Sequence, residues 1–270
     1  MQSITPTQIA EDLTTIRKKK PLVHHITNFV VMNETANMTL CVGGLPIMAH
    51  AKEEVAEMVR MASVLLLNLG TLTPEWIESM LIAGKQANQS EIPIVLDPVG
   101  AGATKLRTDS SERLMQELQI AIVRGNLAEV ATLAGVKAEI RGVESISASS
   151  EKETVAKILA KKYGCIVAIT GAQDVVSDGK SIAYIDNGHQ MLTTVTGTGC
   201  MATTLIACFA GVQQDYYRAA VGGLCSYGIA AELAAKTTDG KPGSFHAQLY
   251  DAMKQLTEQD IIKFAKIAVK

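Results

Sequence analysis

The 270-residue sequence predicts an α/β fold in a single domain, residues 1–270, with a mainly parallel central sheet. Short β-rich runs alternate with helical stretches along the chain, which is the order of a βαβ series. The run "SVLLLNLG" is continuously apolar, as is typical of a strand covered on both faces. Two alternating runs around Ser177-Asp178-Gly179-Lys180 predict a β-hairpin, which adds an antiparallel part to the sheet.

The first half of the chain predicts an opening helix and four strand–helix pairs. Thr5 caps that first helix, with Pro6 in its first turn and Gln8 closing a capping box. The basic residues 17–20 fall at the negative end of the helix dipole. The pairs that follow are "PLVHHIT" with "VVMNETANMTLCVG", "LPIM" with "KEEVAEMVRMA", "SVLLLNLG" with "PEWIESMLIAGKQANQ", and "IPIVLDPVG" with "TDSSERLMQELQ".

The second half predicts further alternation and then a long helical region. The strand "IAIVRGN", the helix "LAEVATLAG", a polar segment "GVESISASS", the helix "EKETVAKILAKKYG" and the strand "CIVAITG" precede the hairpin. After the hairpin, the apolar–polar pattern of "HQMLTTV" predicts another strand, which leads through "TGTGC" into the helical region. Gly222, Gly223 and Gly228 in that region predict close helix packing.

Composition argues against several classes of partner. The formal net charge of −2 gives no electrostatic footprint for nucleic acid or a membrane surface. The longest apolar run, near "LIACFAG", is shorter than the roughly 20 residues of a bilayer span. The N-terminus lacks the apolar segment of a signal peptide, and the five cysteines include no CxxC pair, which favours free thiols in a reducing compartment. We therefore expect a cytoplasmic protein without nucleic-acid or membrane partners.

Polar residues follow three neighbouring strands where each strand ends. Asp97 follows the strand of "IPIVLDPVG", Arg124, Asn126 and Glu129 follow the next strand, and Thr170 ends "CIVAIT". Ligands of such sheets bind at the carboxyl ends of the strands, so we expect these residues to meet there. Structural alternatives remain open: a turn aspartate bonded to its own backbone, a capping box of Asn126 with Glu129, and a tight turn after Thr170.

The fourth predicted strand end is "VTGTGC", where a helix begins. Backbone amides around Gly197 and Gly199 would form a nest for an anion such as a transferring phosphoryl group. The alternative is a glycine hinge with Cys200 merely buried. Because a helix N-terminus lowers the pKa of a thiol, Cys200 is predicted to be a moderately activated proton acceptor. Acids, an arginine, a polar turn and an anion nest together predict a Mg²⁺-dependent phosphoryl-transfer site without a Walker loop.

Several strings extend this prediction to a family. "DPVGAGAT", "RGNLAEV", "TGAQDVVSDG" and "VTGTGCMATT" have the order and spacing of the ribokinase-like small-molecule kinases. With "HHITNFVVMNETANMTL" and "NLGTL", the sequence more narrowly resembles the hydroxyethylthiazole kinase family. The resemblance implies a three-layer sandwich whose mainly parallel sheet is flanked by helices. It also implies ATP- and Mg²⁺-dependent phosphorylation of the primary alcohol of 4-methyl-5-(2-hydroxyethyl)thiazole, a thiamine salvage step, by a homotrimer with active sites between subunits.

The resemblance further implies roles for individual residues. Those implied to contact ATP are Arg124, Thr170 and Asn126. Those implied to lie at the metal are Glu129 and Asp97. Those implied to contact the thiazole are Met48, Asn28 and Gly197. Those implied to be catalytic are Cys200, Gly197 and Gly199, with Cys200 in the place where other ribokinase-like kinases carry the presumed base, an aspartate.

Three alternative functions fit the same motifs. The first is a ribokinase-like kinase of another small alcohol, such as hydroxymethylpyrimidine or pyridoxal, against which Asn28, Met48 and Cys200 argue. The second is an ATP-dependent NAD(P)H-hydrate dehydratase, a lyase on the same fold. The third is a thiazole-binding sensor without turnover. Asp97 and Glu129 argue against a sensor, because a sensor needs neither a metal nor an anion hole.

Overall fold

A nine-stranded sheet organises the residues that the computed structural model describes, 4–136 and 148–270. The strands are β1 (Leu22–Ile26), β2 (Leu45–Met48), β3 (Val64–Asn68), β4 (Ile94–Asp97), β5 (Ile122–Asn126), β6 (Ile166–Thr170), β7 (Asp174–Ser177), β8 (Ile182–Ile185) and β9 (Ile267–Val269). Their spatial order is β2-β1-β3-β4-β5-β6-β7-β8-β9. Strands β1 to β6 are parallel, and β7 to β9 add the antiparallel edge, which confirms the predicted hairpin.

Helices cover both faces of this sheet. They are α1 (Pro6–Lys19), α2 (Met32–Val42), α3 (Val55–Met61), α4 (Pro74–Gln89), α5 (Lys105–Glu117), α6 (Leu127–Ala134), α7 (Ala148–Tyr163), α8 (Thr198–Ala210), α9 (Tyr216–Thr238), α10 (Pro242–Gln255) and α11 (Glu258–Phe264). Two separate hydrophobic cores form, one under α1, α2 and α8 to α11 and the other under α3 to α7. The predicted three-layer α/β sandwich is therefore confirmed.

The apolar strand β3 shows why its sequence does not alternate. Leu66 packs into one core, while Leu65 and Leu67 pack into the other. All three side chains are at most 1% exposed, and such burial stabilises the fold by about 1.5–3 kcal/mol for each leucine. Strand β3 therefore lies inside the sheet, between β1 and β4, and helices cover both of its faces.

Local signals set several helix ends as predicted. The Thr5 hydroxyl accepts a hydrogen bond from the Gln8 amide, and the Gln8 side chain accepts one from the Thr5 amide, so the capping box is present. Pro74 opens α4. Helix α5 begins earlier than the sequence predicted, because the Thr104 hydroxyl caps it by accepting from the Arg107 amide.

Glycines let α9 approach its neighbours closely. A β-carbon on Gly223 would lie 2.7 Å from the backbone of Ile206 in α8, and one on Gly222 would lie 2.8 Å from the Phe209 ring. The predicted close helix packing is confirmed at these two positions. At Gly228 the close neighbour is instead the backbone of Asn187, which lies in the loop after β8.

The strand predicted before Gly197 is wrong. Residues Gln190–Thr194 form a 3₁₀ helix, and β9 takes the place beside β8. The hydroxyls of Thr193 and Thr194 donate to the carbonyls of Gln190 and Met191. Such local hydrogen bonds compete with strand pairing, which explains the error. A loop and a 3₁₀ helix therefore lead into α8.

Two further predictions concern a polar segment and the possibility of membrane-spanning helices. The predicted polar segment 142–150 lies largely outside the described residues, and α7 begins at Ala148. Among the helices that the structure describes, none combines the length and the apolar character needed to cross a bilayer.

Candidate active site

The carboxyl ends of the parallel strands bring most of the predicted polar residues to one edge of the sheet. Pairing places Asn68 of β3 beside Asp97 of β4, and Asn126 of β5 beside Thr170 of β6. Asn28 follows β1, the neighbour of β3. The start of α8 lies against the same edge, because the Cys200 sulfur is within hydrogen-bond distance of Asn68.

Asp97 is fully buried, and its partners come from other elements. Its Oδ2 accepts hydrogen bonds from Thr203 Oγ1 at 2.7 Å and from Asn68 Nδ2 at 3.3 Å, and pairs with Arg124 Nη1 at 3.5 Å. Its Oδ1 is buried without a hydrogen-bond partner in the described part of the chain. Burial raises the pKa of this carboxyl, and Arg124 opposes that shift. The carboxylate is therefore built into the site and is not bonded to its own turn.

Arg124 connects three parts of the site. It pairs with Asp97, donates through Nη2 to the Thr170 hydroxyl, and lies over Gly199. A β-carbon at Gly199 would lie 2.8 Å from Nη1, so a larger residue there would displace the guanidinium from its present position. The side chain is 12% exposed, which keeps its charge in a low-dielectric environment.

Asn126 and Glu129 form a capping box at the start of α6, which is the structural alternative that the sequence offered for these two residues. Asn126 Oδ1 accepts from the Glu129 amide at 3.0 Å, and Glu129 Oε2 accepts from the Asn126 amide at 2.8 Å. Glu129 Oε1 also accepts from the Gly100 amide at 2.8 Å, which fixes the glycine-rich turn after β4. Each carboxylate oxygen keeps a further acceptor position, so the cap leaves Glu129 able to bind a ligand.

The N-terminus of α8 presents unpaired backbone donors. Gly197 is its N-cap with φ +81°, a conformation that favours glycine, and a β-carbon there would also meet Val31 at 2.8 Å. The amides of Thr198, Gly199 and Cys200 precede the first intrahelical bond, from Met201 to Gly197. No side chain at the N-cap satisfies them, so this end of α8 carries a partial positive charge.

The predicted activation of Cys200 is wrong. Burial, together with the neighbouring Asp97 carboxylate, raises the pKa of its thiol to about 12, which outweighs the lowering by the Asn68 amide, Arg124 and the Asn28 amide. Its Sγ lies 3.2 Å from Asn68 Nδ2 and 3.9 Å from Asn28 Nδ2. Cys200 is therefore a neutral thiol at neutral pH, because desolvation beside a carboxylate disfavours a second negative charge.

Sequence reasoning gave Asn68 no role, although it lies at the centre of this network. It donates to Cys200 and Asp97 and accepts from Asn28 Nδ2 at 2.7 Å. The available signal was a polar residue at the end of the continuously apolar run "VLLLN", one strand away from Asp97.

Two adjoining cavities meet at Arg124 and Gly199. The first has a volume of about 400 Å³, and its polar lining includes Asn28, Asp97, Asn126, Glu129, Thr71 and Cys200 in addition to Arg124. The second has a volume of about 570 Å³ and lies between the β6–β7 turn, the 3₁₀ helix, α8 and α9; residues that line it include Thr170, Gly171, Asp174, Thr198, Leu224 and Gly228. Both volumes lie in the range of small-molecule sites.

Met48 is the predicted site residue that this chain does not bring to the others. It ends the edge strand β2, pairs with His25, and lines neither of these two cavities. The adjacent His24 and His25 have separate hydrogen-bond partners, the Ala49 carbonyl and the Thr39 hydroxyl. Burial lowers the pKa of His25 to about 3, so it is a neutral core residue.

Metal-binding groups in the site are few. Within residues 4–136 and 148–270, no group of three or more His, Cys, Asp and Glu side chains is arranged to hold a metal ion. Asp97 and Glu129 line the same cavity, and the unpartnered Oδ1 of Asp97 is a free oxygen ligand. One or two carboxylates that share a cation with substrate phosphates are the arrangement typical of Mg²⁺.

Comparison with known proteins decides the family. A model of the hydroxyethylthiazole kinase family matches residues 13–259. The hydroxyethylthiazole kinase of Roseiflexus castenholzii is 55% identical over 97% of this chain and 96% of that relative. That of Chloroflexus aurantiacus is also 55% identical, over 96% of each chain. The chain belongs to the hydroxyethylthiazole kinase family.

Solved structures agree with membership of the hydroxyethylthiazole kinase family. The structure of hydroxyethylthiazole kinase protein from Pyrococcus horikoshii has a TM-score of 0.90 at 42% identity, covering 97% of this chain and 99% of that one. The pyridoxal kinase from Staphylococcus aureus in complex with AMP-PCP and pyridoxal has a TM-score of 0.63 at 12% identity, covering 92% and 97%. The second likeness shows the shared ribokinase-like fold alone.

In this member of the hydroxyethylthiazole kinase family, the surroundings of Asp174 in the larger cavity predict that the stability of the fold depends on pH. Its Oδ1 accepts from the Gly171 amide at 2.8 Å, and burial raises the pKa of the carboxyl to about 6. Ionising a carboxyl whose pKa is raised in the folded state lowers the free energy of unfolding. This loss is complete above the folded pKa, shrinks as the pH falls through it, and is gone below the pKa of the unfolded chain. We expect Asp174→Asn to raise the unfolding free energy at pH 7.5 by about 1–3 kcal/mol, and by about half as much at pH 5.

Urea denaturation at the two pH values measures this effect. Asp178→Asn is the matched control, since Asp178 lies on the exposed hairpin turn and accepts from the amides of Lys180 and Ser181. We expect no gain from that variant. Equal stability of Asp174→Asn and the unsubstituted protein at pH 7.5 would contradict the conclusion that desolvation makes the ionised, half-buried Asp174 carboxyl destabilising.

Proposed function

We propose that this chain transfers the γ-phosphoryl group of ATP to the primary alcohol of 4-methyl-5-(2-hydroxyethyl)thiazole, giving the phosphate ester, ADP and a proton. The observation that carries this proposal is the junction of two cavities at Arg124 and the N-terminus of α8. One cavity takes the phosphoryl donor and the other takes the acceptor. Family membership supports the thiazole alcohol over another alcohol and over the nucleotide-hydrate dehydratase.

The larger cavity suits the nucleotide. Leu224 and Gly228 of α9 offer an apolar wall, and Thr170 with Gly171 offers a polar turn. Arg124 and the free amides of α8 lie where this cavity joins the smaller one, so they would hold the phosphate chain. Asn126 lies on the other side of Arg124, in the smaller cavity, where it would contact the terminal phosphate.

Mg²⁺ fits the carboxylates at the acceptor side. Asp97 and Glu129 would hold it together with phosphate oxygens, since Asp97 Oδ1 has no hydrogen-bond partner among the residues that the structure describes and Glu129 has acceptor capacity left. When bound, the cation neutralises phosphate charge and orients the γ-phosphoryl group. The protein supplies the complementary positive charge through Arg124 and α8.

Positioning of the substrates accounts for most of the expected reduction of the activation barrier. Holding the alcohol in line with the phosphoryl group supplies about 7–11 kcal/mol, and a well-aimed backbone donor adds about 3–4 kcal/mol. A loose transition state needs little proton removal early, so the alcohol proton passes to an oxygen of the transferred phosphoryl group after the new P–O bond has begun to form, and is released to water with the products. As a neutral thiol, Cys200 then orients the alcohol oxygen, with Asn28 on the same side.

A further part of the proposal concerns assembly and location. A homotrimer with active sites between subunits is supported by exposed apolar side chains at the β2 edge: Leu45 of β2 is 45% exposed, and Leu40 of α2, which packs on β2, is 50% exposed. Such patches mark interfaces, and Met48 at this edge would then complete the thiazole site of a neighbouring subunit.

The five free cysteines support a cytoplasmic location, and we treat the chain as one domain.

Direct transfer tests the function. We expect the protein to convert the thiazole alcohol to its phosphate with ATP and Mg²⁺, detected by mass spectrometry, and to lose this activity when EDTA removes the metal. Hydroxymethylpyrimidine and pyridoxal serve as competing acceptors in the same assay. Turnover of one of these without turnover of the thiazole would contradict the substrate assignment, and turnover in EDTA would contradict the metal.

Substitutions at the start of α8 test the catalytic assignments. Gly199→Val places side-chain atoms against Arg124 and the phosphate path, so we expect kcat to fall at least about 100-fold. Gly243→Ala in α10 is the matched control, since a β-carbon there meets nothing within 4 Å. Folding is checked by circular dichroism. Full kcat in folded Gly199→Val would disprove the anion-hole assignment.

Assembly is tested by charge on the β2 edge. We expect Leu45→Lys to convert a trimer to monomers in light scattering and to lower kcat with the thiazole, because an interface buries Leu45 and carries Met48 to the neighbour. Ile262→Lys is the control, since Ile262 is 51% exposed on α11 near the opposite sheet edge. A fully active monomer of the unsubstituted protein would contradict the shared site.

A further inference from the structure

Asn68 is the most fully hydrogen-bonded side chain of the site. It ends β3, is 1% exposed, and lies beside Asp97 in the sheet register. Its Nδ2 donates to Asp97 Oδ2 at 3.3 Å and to Cys200 Sγ at 3.2 Å. Its Oδ1 accepts from Asn28 Nδ2 at 2.7 Å and from the Gly70 amide at 3.0 Å. Two donors and two acceptor positions are all an asparagine amide has, and each is used.

The chemistry of these partners fixes which way the amide points. The backbone N–H of Gly70 can only donate, so the atom facing it must be the carbonyl oxygen of Asn68. An ionised Asp97 can only accept, so the atom facing it must be the NH₂ group. If the amide were turned over, its NH₂ group would face the N–H donors of Gly70 and Asn28, and its oxygen would face the carboxylate of Asp97. The orientation of Asn68 is thus determined by the site itself.

This orientation holds together three groups that line the smaller cavity. Asn28 lies on the acceptor side and is held through its own Nδ2 by Asn68. Cys200 lies in the first turn of α8, and its Sγ accepts the second N–H of the same amide. Because that N–H occupies a lone pair of the sulfur, the S–H bond of Cys200 is left to point away from Asn68.

We propose that Asn68 is a positioning residue for phosphoryl transfer, which acts by holding Cys200 and Asp97 in one orientation through its NH₂ group. The inference rests on the proposed function and deepens it. Asn68 needs no contact with either substrate in this role. Its effect reaches the reacting oxygen through the thiol of Cys200, and reaches the phosphate side through Asp97.

The kinetic test is Asn68→Ala in the full-length protein. Loss of two buried donated hydrogen bonds should lower kcat by about 10–100-fold, while KM for ATP changes by less than about threefold. Asn88→Ala is the matched control, since Asn88 also joins two elements through its amide, by two hydrogen bonds to the backbone of Gln119, at the other end of the sheet. We expect unchanged kcat there. Unchanged kcat in Asn68→Ala, with the unsubstituted enzyme active, would overturn the proposal.

Two further variants separate positioning from general loss of structure. Asn68→Asp keeps both accepted hydrogen bonds and loses both donated ones, so we expect it to be no more active than Asn68→Ala; restored kcat would overturn the proposal. In a Cys200→Ala background, Asn68→Ala should cost clearly less than it does in the unsubstituted enzyme, because the two residues act as a unit. Losses that simply multiply would overturn it. An unsubstituted enzyme without thiazole phosphorylation would instead overturn the proposed function, and this inference with it.

Discussion

The buried pair of Asp97 and Arg124 is the interaction on which the site depends. Asp97 is fully buried and Arg124 nearly so, so each charge has lost most of its hydration. Removing one partner of such a pair typically costs about 3–5 kcal/mol, because the other charge remains buried and uncompensated. Within residues 4–136 and 148–270, each partner also keeps one buried atom without a hydrogen bond, Asp97 Oδ1 and Arg124 Nε. In the proposed complex, a cation and a phosphate complete what the protein leaves unsatisfied.

The sheet places this pair where substrates can reach it. β4 and β5 are central and parallel, and both end at the same edge, so Asp97 and Arg124 come together without any long loop. Helix α8 reaches the same edge because glycines of α9 allow the two helices to pack closely. The positive end of α8 therefore points at the carboxylate-lined cavity, and this contrast of charge suits a polyphosphate with its counter-ion.

Much of this arrangement could be predicted from local sequence signals. Hydrophobic patterns predict β3 and α4. The capping boxes at Thr5 and Asn126 could also be predicted, because each is formed by residues only three positions apart in the sequence. The 3₁₀ helix at Gln190–Thr194 could not be predicted, since threonine hydroxyls and strand pairing compete there and tertiary context decides. The short β9 carries too few residues for a periodic signal. The roles of Asn68 and the pKa of Cys200 depend on partners distant in sequence, and on burial that only the fold creates.

The neutral state of Cys200 follows from the charge that surrounds it. Asp97 and Glu129 already line the cavity, and the proposed reaction brings a polyphosphate against them. A thiolate there would add negative charge beside Asp97 in a low-dielectric site, which Coulomb repulsion and desolvation both oppose. A thiol fills the same position without that cost and still offers a hydrogen to an alcohol oxygen. The cysteine at the start of α8 is thus explained better as a neutral contact, aligned by Asn68, than as a base.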